Sequence, residues 1–209
     1  MLVRDCMTEK LITIRPESDP MAAISLLKVC KFRHLPVIES DGSLVGIVDR
    51  ADLELFLAKA GSPGYVKRNH RVEQFMTRNV ITVHPDCPLE EAASLMTQHK
   101  IGSLPVLEDG KLVGIITETD IFKRFFAILG GGSESLRLTV QVADKPGQLA
   151  ELAGRIARIN GNIVSMVTSP AEQPGRINIT LRVEGVELSS LLAAVEDQPG
   201  LVILHKTNC

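Results

Sequence analysis

The sequence predicts a mixed α/β protein, α+β in its local layout, made of a duplicated β-α-β-β-α unit and a separate βαββαβ unit. Three observations predict it. The first 128 residues contain an internal repeat. A Gly- and Ser-rich stretch at 130–135 follows it. The remainder then shows a new alternation of strand and helix periodicity. The boundaries read as 1–60 for the first repeat, 61–71 for a connector, 72–129 for the second repeat, 130–135 for a linker and 136–209 for the last domain.

Residues 3–53 align with 72–121 at an offset of 69, which becomes 68 after a one-residue deletion beyond Glu39. Of 50 aligned pairs 21 are identical, and they keep their order, so shared composition does not explain them. Each unit opens on a β-rich run, 11–14 or 80–83, ended by Pro16 or Pro85. A helix follows. Asp19-Pro20 opens the first and Cys87-Pro88-Leu89-Glu90 the second, since proline fits the first helical position. Ala23, Ile24 and Leu27, and then Ala92, Ala93 and Met96, recur at helical spacing. Two strands come next, 35–38 with 44–48 and 104–107 with 112–116, joined by Asp41-Gly42 or Asp109-Gly110. A last helix starts near Asp49 or Thr117.

The repeated residues are Met-Thr (Met7-Thr8, Met76-Thr77), Thr-x-x-Pro (Thr13 to Pro16, Thr82 to Pro85), Leu-Pro-Val (from Leu35 and from Leu104) and Gly-Ile-x-x-x-x-Asp (Gly46 to Asp52, Gly114 to Asp120). This pattern resembles the CBS domain, and the pair resembles a tandem CBS module over about residues 1–128. The resemblance implies a regulatory module that binds an adenosine-containing ligand in clefts between the repeats. AMP, ADP, ATP and S-adenosylmethionine are the candidates.

The second unit carries the fuller nucleotide pattern. Thr117 stands at the start of a helix and Asp120 one turn on, matching the Gly-x-x-Thr-x-x-Asp of CBS domains. A hydroxyl there can meet a phosphate, helped by free backbone N–H groups and the helix dipole. Asp120 can accept from both hydroxyls of a ribose. The same two residues also form a capping box, and both readings can hold. In the first unit Asp52 keeps the ribose position, but Asp49 replaces the threonine. Two like charges at ~4 Å and an effective dielectric of ~20 repel by on the order of 4 kcal/mol. Either that half-site is empty, or its ligand has no phosphate there, or a cation offsets Asp49. Adenylate binding is therefore expected to be asymmetric and to depend mainly on Thr117 and Asp120. Arg33 lies where some CBS domains present a phosphate-binding arginine, and it reads equally as a solvated charge; its counterpart is Gly102. His34 reads as a packing residue. The resemblance makes Val80, Ile81, Pro105 and Ile115 the walls of a purine slot, while core packing accounts for them as well. Tyr65, among Lys67, Arg68, His70 and Arg71, either reaches a cleft mouth or belongs to a solvated basic connector.

After the linker, Leu136, Leu138, Val140 and Val142 alternate with polar residues as a strand. Asp144-Lys145-Pro146-Gly147 is a turn. Leu149, Leu152, Ala153 and Ile156 share one face of a helix over 148–159, which Gly161 stops. Strands follow at 162–168 and 176–183, then a helix carrying Leu188, Leu191, Leu192 and Val195, then a strand at 201–205. The order is the ferredoxin-like one. The residues Asp144-Lys145-Pro146-Gly147-Gln148-Leu149 and Gly161-Asn162-Ile163 resemble an ACT domain over about 136–209. The resemblance implies an amino-acid site where two domains meet. Asp144, Gly147, Gln148, Leu149, Asn162 and Ile163 are its candidates; the loop is otherwise only a turn and cap. CBS followed by ACT is similar to the AcuB-type regulatory proteins of acetoin utilisation.

Composition narrows the function. Hydrophobic residues are 44 % and charged ones 23 % of the chain, which excludes overall disorder. Net charge is −2, and without Trp and with one Tyr the chain lacks both the basic surface and the stacking platforms of a nucleic-acid binder. No apolar run approaches the ~18 residues of a membrane span, and the polar N-terminus has no signal-peptide core, so a cytoplasmic protein is expected. Cys6, Cys30, Cys87 and Cys209 form no CxxC and have no His at ligand spacing, so they read as reduced thiols used as small core residues and no metal site is expected. No nucleophile–base pair or catalytic carboxylate pair is found. The chain therefore reads as a non-catalytic sensor and a homodimer, linked through its AcuB-type architecture to acetoin or acetate metabolism, with an unidentified regulated partner. A structural adaptor without any small ligand is the alternative, and a nucleotide-hydrolysing enzyme the weaker one.

Overall fold

The computed structural model describes residues 1–60, 66 and 69–208, so Tyr65, Lys67, Arg68 and Cys209 lie outside the described residues. The chain divides into two compact units, Met1–Phe122 and Lys123–Cys209. Among the described residues there are six α-helices and eight strands.

Each repeat has a helix, a hairpin and a second helix, and all of these lie in the first unit except the last helix, whose residues from Lys123 onward belong to the second. Repeat one supplies α1 (Pro20–Val29), β1 (His34–Ile38), β2 (Leu44–Asp49) and α2 (Arg50–Lys59). Repeat two supplies α3 (Leu89–His99), β3 (Ser103–Glu108), β4 (Lys111–Thr117) and α4 (Glu118–Ile128). Asp19 caps α1 by accepting from Met21 N at 2.9 Å, and Pro20 takes the first helical position. Pro88 is the N-cap of α3, not its first residue. Both hairpins are antiparallel. In the second, Asp109 (φ 50°) and Gly110 (φ 76°) both take the left-handed backbone that a two-residue turn needs. The predicted leading strands shrink to single parallel bridges, Ile14 to Val37 and Val83 to Val106.

The repeats exchange their leading segments. Thr8 exchanges two backbone hydrogen bonds with Ile115 of repeat two, and Thr77 exchanges two with Ile47 of repeat one. The cores follow the exchange. Val72 and Met76 complete the core built from Ile24, Leu27, Leu35, Val37 and Val48. Val3, with Cys6 and Met7 beside it, completes the core built from Leu89, Met96, Leu104, Val106 and Ile116. Cys6, Cys30 and Cys87 are half-buried thiols, and burial together with Glu91 raises the Cys87 thiol above its ordinary pKa.

The second unit holds β5 (Leu136–Ala143), α5 (Gln148–Arg158), β6 (Asn162–Pro170), β7 (Arg176–Glu184), α6 (Leu188–Glu196) and β8 (Val202–Asn208). Its sheet has the order β6-β7-β5-β8, all pairs antiparallel. Leu138, Val140, Val142, Ile179, Leu181 and Val183 meet Leu152, Ile156, Leu191 and Val195 of the helices in one core. Residues 130–135 are hydrogen-bonded into this unit. Gly131 N donates to Phe126 O at 2.8 Å, Ser133 Oγ to Gly130 O at 2.8 Å, and Arg182 donates to the Ser135 hydroxyl at 3.1 Å.

Candidate functional site

A cleft of about 580 Å³ opens in the first unit where the leading segment of repeat two runs beside β2. Val80 and Ile81 line it, and so do Asp49 and Asp52 at the start of α2. Arg33, His34, Lys100 and Glu118 also line it. The expected residues Val80, Ile81, Asp52 and Arg33 are thus brought together. Thr117, Asp120, Pro105 and Ile115 do not line this cleft. Pro105 is buried in β3 and paired with Ile115. Ile115 pairs on its other side with Thr8, so the leading segment near Thr117 and Asp120 is that of repeat one. Its Leu11 and Ile12 are the repeat counterparts of Val80 and Ile81.

The two helix starts differ chemically. Asp120 Oδ2 accepts from Thr117 N at 3.0 Å and from Thr117 Oγ1 at 2.7 Å, so the two residues close a capping box. Asp49 accepts from Ala51 N at 2.6 Å and from Asp52 N at 3.3 Å, and caps α2 with a full negative charge. His34 lies opposite Asp49 in the hairpin register, with Nε2 3.1 Å from Asp49 Oδ2. Burial lowers the His34 pKa below its ordinary value; Asp49 opposes that shift and Arg33 adds to it. Arg33 meets Glu118 at 3.5 Å. At neutral pH the cleft therefore holds three carboxylates, Asp49, Asp52 and Glu118, against two fixed cations, Arg33 and Lys100. Sequence reasoning missed His34, Lys100 and Glu118 as wall residues. Their signal was the register of the two hairpins, which sets His34 opposite Asp49 and Ser103 opposite Thr117.

A CBS domain model matches residues 3–59 and 72–127, more than half of the chain. This chain belongs to the CBS domain family. A TTHA0829-like ACT domain matches 131–204, so the chain is a tandem CBS pair followed by an ACT domain. A CBS domain-containing protein of Dictyostelium discoideum is 33% identical over 136 residues, 62% of this chain and 94% of that protein. The L-aspartate semialdehyde sulfurtransferase of Methanocaldococcus jannaschii is 34% identical over 125 residues, 59% of this chain but only 23% of that enzyme. Among solved structures, the CBS pair of protein MJ0100, in complex with 5′-methylthioadenosine and S-adenosyl-L-methionine, is 34% identical with a TM-score of 0.54, covering 61% of this chain and 97% of that one. CBSX2 of Arabidopsis thaliana in complex with AMP is 31% identical with a TM-score of 0.54, over 61% and 97%. The acetoin utilization protein AcuB of Vibrio cholerae is 30% identical with a TM-score of 0.56, over 62% and 93%.

In the ACT domain the expected amino-acid residues divide between two ends of the sheet. Asp144, Gly147, Gln148 and Leu149 follow Ala143, which pairs with Arg176. Asn162 and Ile163 pair with Glu184 and Val183, at the end where β5 begins. Gln148 is buried and accepts from Gln198 at 3.3 Å, and Ile163 packs on the core. Asp144, Gly147, Leu149 and Asn162 are exposed. A single copy therefore does not bring the two groups together. No helix is long and apolar enough to cross a membrane, and no group of metal ligands forms among the described residues.

Proposed function

We propose that the chain is a non-catalytic regulator whose CBS pair binds adenosine-containing ligands, with each repeat preferring a different one. The cleft at Asp52 takes an adenosine that puts no phosphate against Asp49. Its purine lies between Val80 and Ile81, and Asp52 accepts from the ribose hydroxyls. The observation that carries this reading is the sign of the cleft, three carboxylates against two fixed cations. A phosphate at ~4 Å from Asp49 meets repulsion of on the order of 4 kcal/mol, whereas a thioether or a sulfonium meets none. The half-site at Thr117 and Asp120, with Leu11 and Ile12 as its apolar wall, has a hydroxyl and helix N–H groups for a phosphate and takes AMP, ADP or ATP. The MJ0100 and CBSX2 complexes support both ligand classes. The ACT domain senses an amino acid at a site completed by a second copy. The likeness to AcuB supports a place in acetoin utilisation.

Calorimetry on the full chain with 5′-methylthioadenosine and AMP tests the reading. Hydrogen bonds to a charged group contribute ~1.5–3 kcal/mol each, so Asp52→Ala is expected to weaken methylthioadenosine at least tenfold and leave AMP unchanged. Asp120→Ala is expected to do the reverse. AMP binding that is lost in Asp52→Ala and intact in Asp120→Ala overturns the assignment.

A further inference from the structure

We propose that the ACT sheet carries a second, separate site on its open face, where Arg137 and Arg182 bind a small organic acid that has no amino group. Strand alternation turns Leu138 and Val140 into the core and leaves Arg137 and Thr139 on the opposite face. Arg137 and Arg182 are direct partners across β5 and β7. Like charges in that position repel at about 4.5–5.5 Å between Cβ atoms, an arrangement that weakens a sheet. Neither arginine has an acidic partner among the described residues. Arg137 lies 3.4 Å from the His205 ring nitrogen, itself a base, and Arg182 donates to the Ser135 hydroxyl at 3.1 Å. An opposed cation pair with no anion nearby fits a site that an anion completes.

A cavity of about 350 Å³ lies over this pair. Thr180 adds a hydroxyl to the basic floor, and Phe126, Leu129 and Val167 form an apolar wall. Ser165 Oγ donates to Leu129 O at 3.2 Å and holds that wall to the sheet. Two guanidinium forks match the two oxygens of a carboxylate. The apolar wall matches a short aliphatic chain. No carboxylate lines the cavity. An ammonium would lose its water there without gaining a charged partner, so a free amino acid is the wrong class. A small carboxylic acid with a short aliphatic chain and no amino group is the right one, and 2-oxoisocaproate represents it. The site stands at the start of β5, whereas the loop of Asp144 and Gly147 follows its end. It is also independent of the CBS clefts.

Calorimetry on the full chain uses 2-oxoisocaproate as the probe and leucine as its amine-bearing match. We expect millimolar or tighter binding of 2-oxoisocaproate, weaker binding of leucine, and at least a tenfold loss of 2-oxoisocaproate in Arg137→Gln and in Arg182→Gln. Thermal melts of the ligand-free variants add a second readout. Relieving an opposed like-charge pair leaves the melting temperature equal or higher. A lower melting temperature in both variants means the arginines serve the fold, and it overturns the proposal. So do absence of 2-oxoisocaproate binding, leucine binding as well as the oxo acid, and binding insensitive to both substitutions.

Discussion

His34 shows how one side chain sets the chemistry of the CBS cleft. Its ring lies 3.1 Å from Asp49, a geometry that favours a shared proton, yet burial is the larger influence and lowers its pKa below 6.5. The unfolded chain therefore takes up this proton at a higher pH than the folded one. The stabilising contribution is fully present above about pH 6.5 and is lost as pH falls through the folded value. The melting temperature is expected to drop between about pH 7 and pH 5, and His34→Gln to drop less. Parallel melting curves for the two proteins across that range would sink the idea. The sequence made Asp49 legible as a charged helix cap, because aspartate is among the residues most favoured just before a helix and its repeat counterpart is Thr117. It did not make its partner legible. His34 is fifteen residues away, and only the hairpin register, shifted by an irregularity between Val37 and Ile38, sets the two side by side.

The elements explain why the site groups residues differently from the expectation. Repeat periodicity made both helix–hairpin–helix units legible, since each carries its own caps and turn. The exchange of leading segments leaves no mark in that pattern, because Met7-Thr8 and Met76-Thr77 are the same dipeptide and fit either hairpin. The glycines of the Gly-Ile pairs are where the exchange is fastened. A Cβ on Gly114 would stand 2.6 Å from Met7 Sδ, and one on Gly46 would stand 2.5 Å from Met76 Sδ. Gly114→Val is therefore an overpacking change, expected to destabilise by about 1–3 kcal/mol. Met7→Ala also destabilises alone, but in the double variant it removes the obstacle, so the pair is expected to cost less than the sum. Urea denaturation of the four proteins reads the coupling. Strict additivity would mean that Met7 does not press on Gly114. The leading strands are shorter than their β-rich composition predicts. Pro16 and Pro85 end them, and each keeps one bridge to its own hairpin.

At the scale of the molecule, the composition of 130–135 reads as a linker, while the compact units divide at Phe122 and Lys123 and the stretch is bonded into the second one. Composition records how free a segment is when isolated, not which partners it finds. The ACT sheet raises the complementary question of what an element needs from outside its own chain. The Asp144–Gly147 turn and the Asn162–Ile163 strand start are separated by the eight-residue length of β5, roughly 25 Å at ~3.3 Å per residue. β6 is a sheet edge with unpaired backbone groups, and its Val164 and Val167 are each 39% exposed. Exposed edges with apolar side chains invite pairing, and a two-fold axis is the commonest way to satisfy them. Antiparallel pairing of two copies along β6 sets the Asn162 end of one copy beside the opposite end of the other, the end that carries the Asp144 turn. We predict a homodimer by light scattering at tens of micromolar protein. Val164→Lys puts a charge on the pairing edge and is expected to shift the protein toward monomer while its circular dichroism spectrum stays unchanged. A wild-type monomer at that concentration, or a Val164→Lys dimer as tight as the wild type, would remove β6 as the contact, and with it the site that a second copy completes.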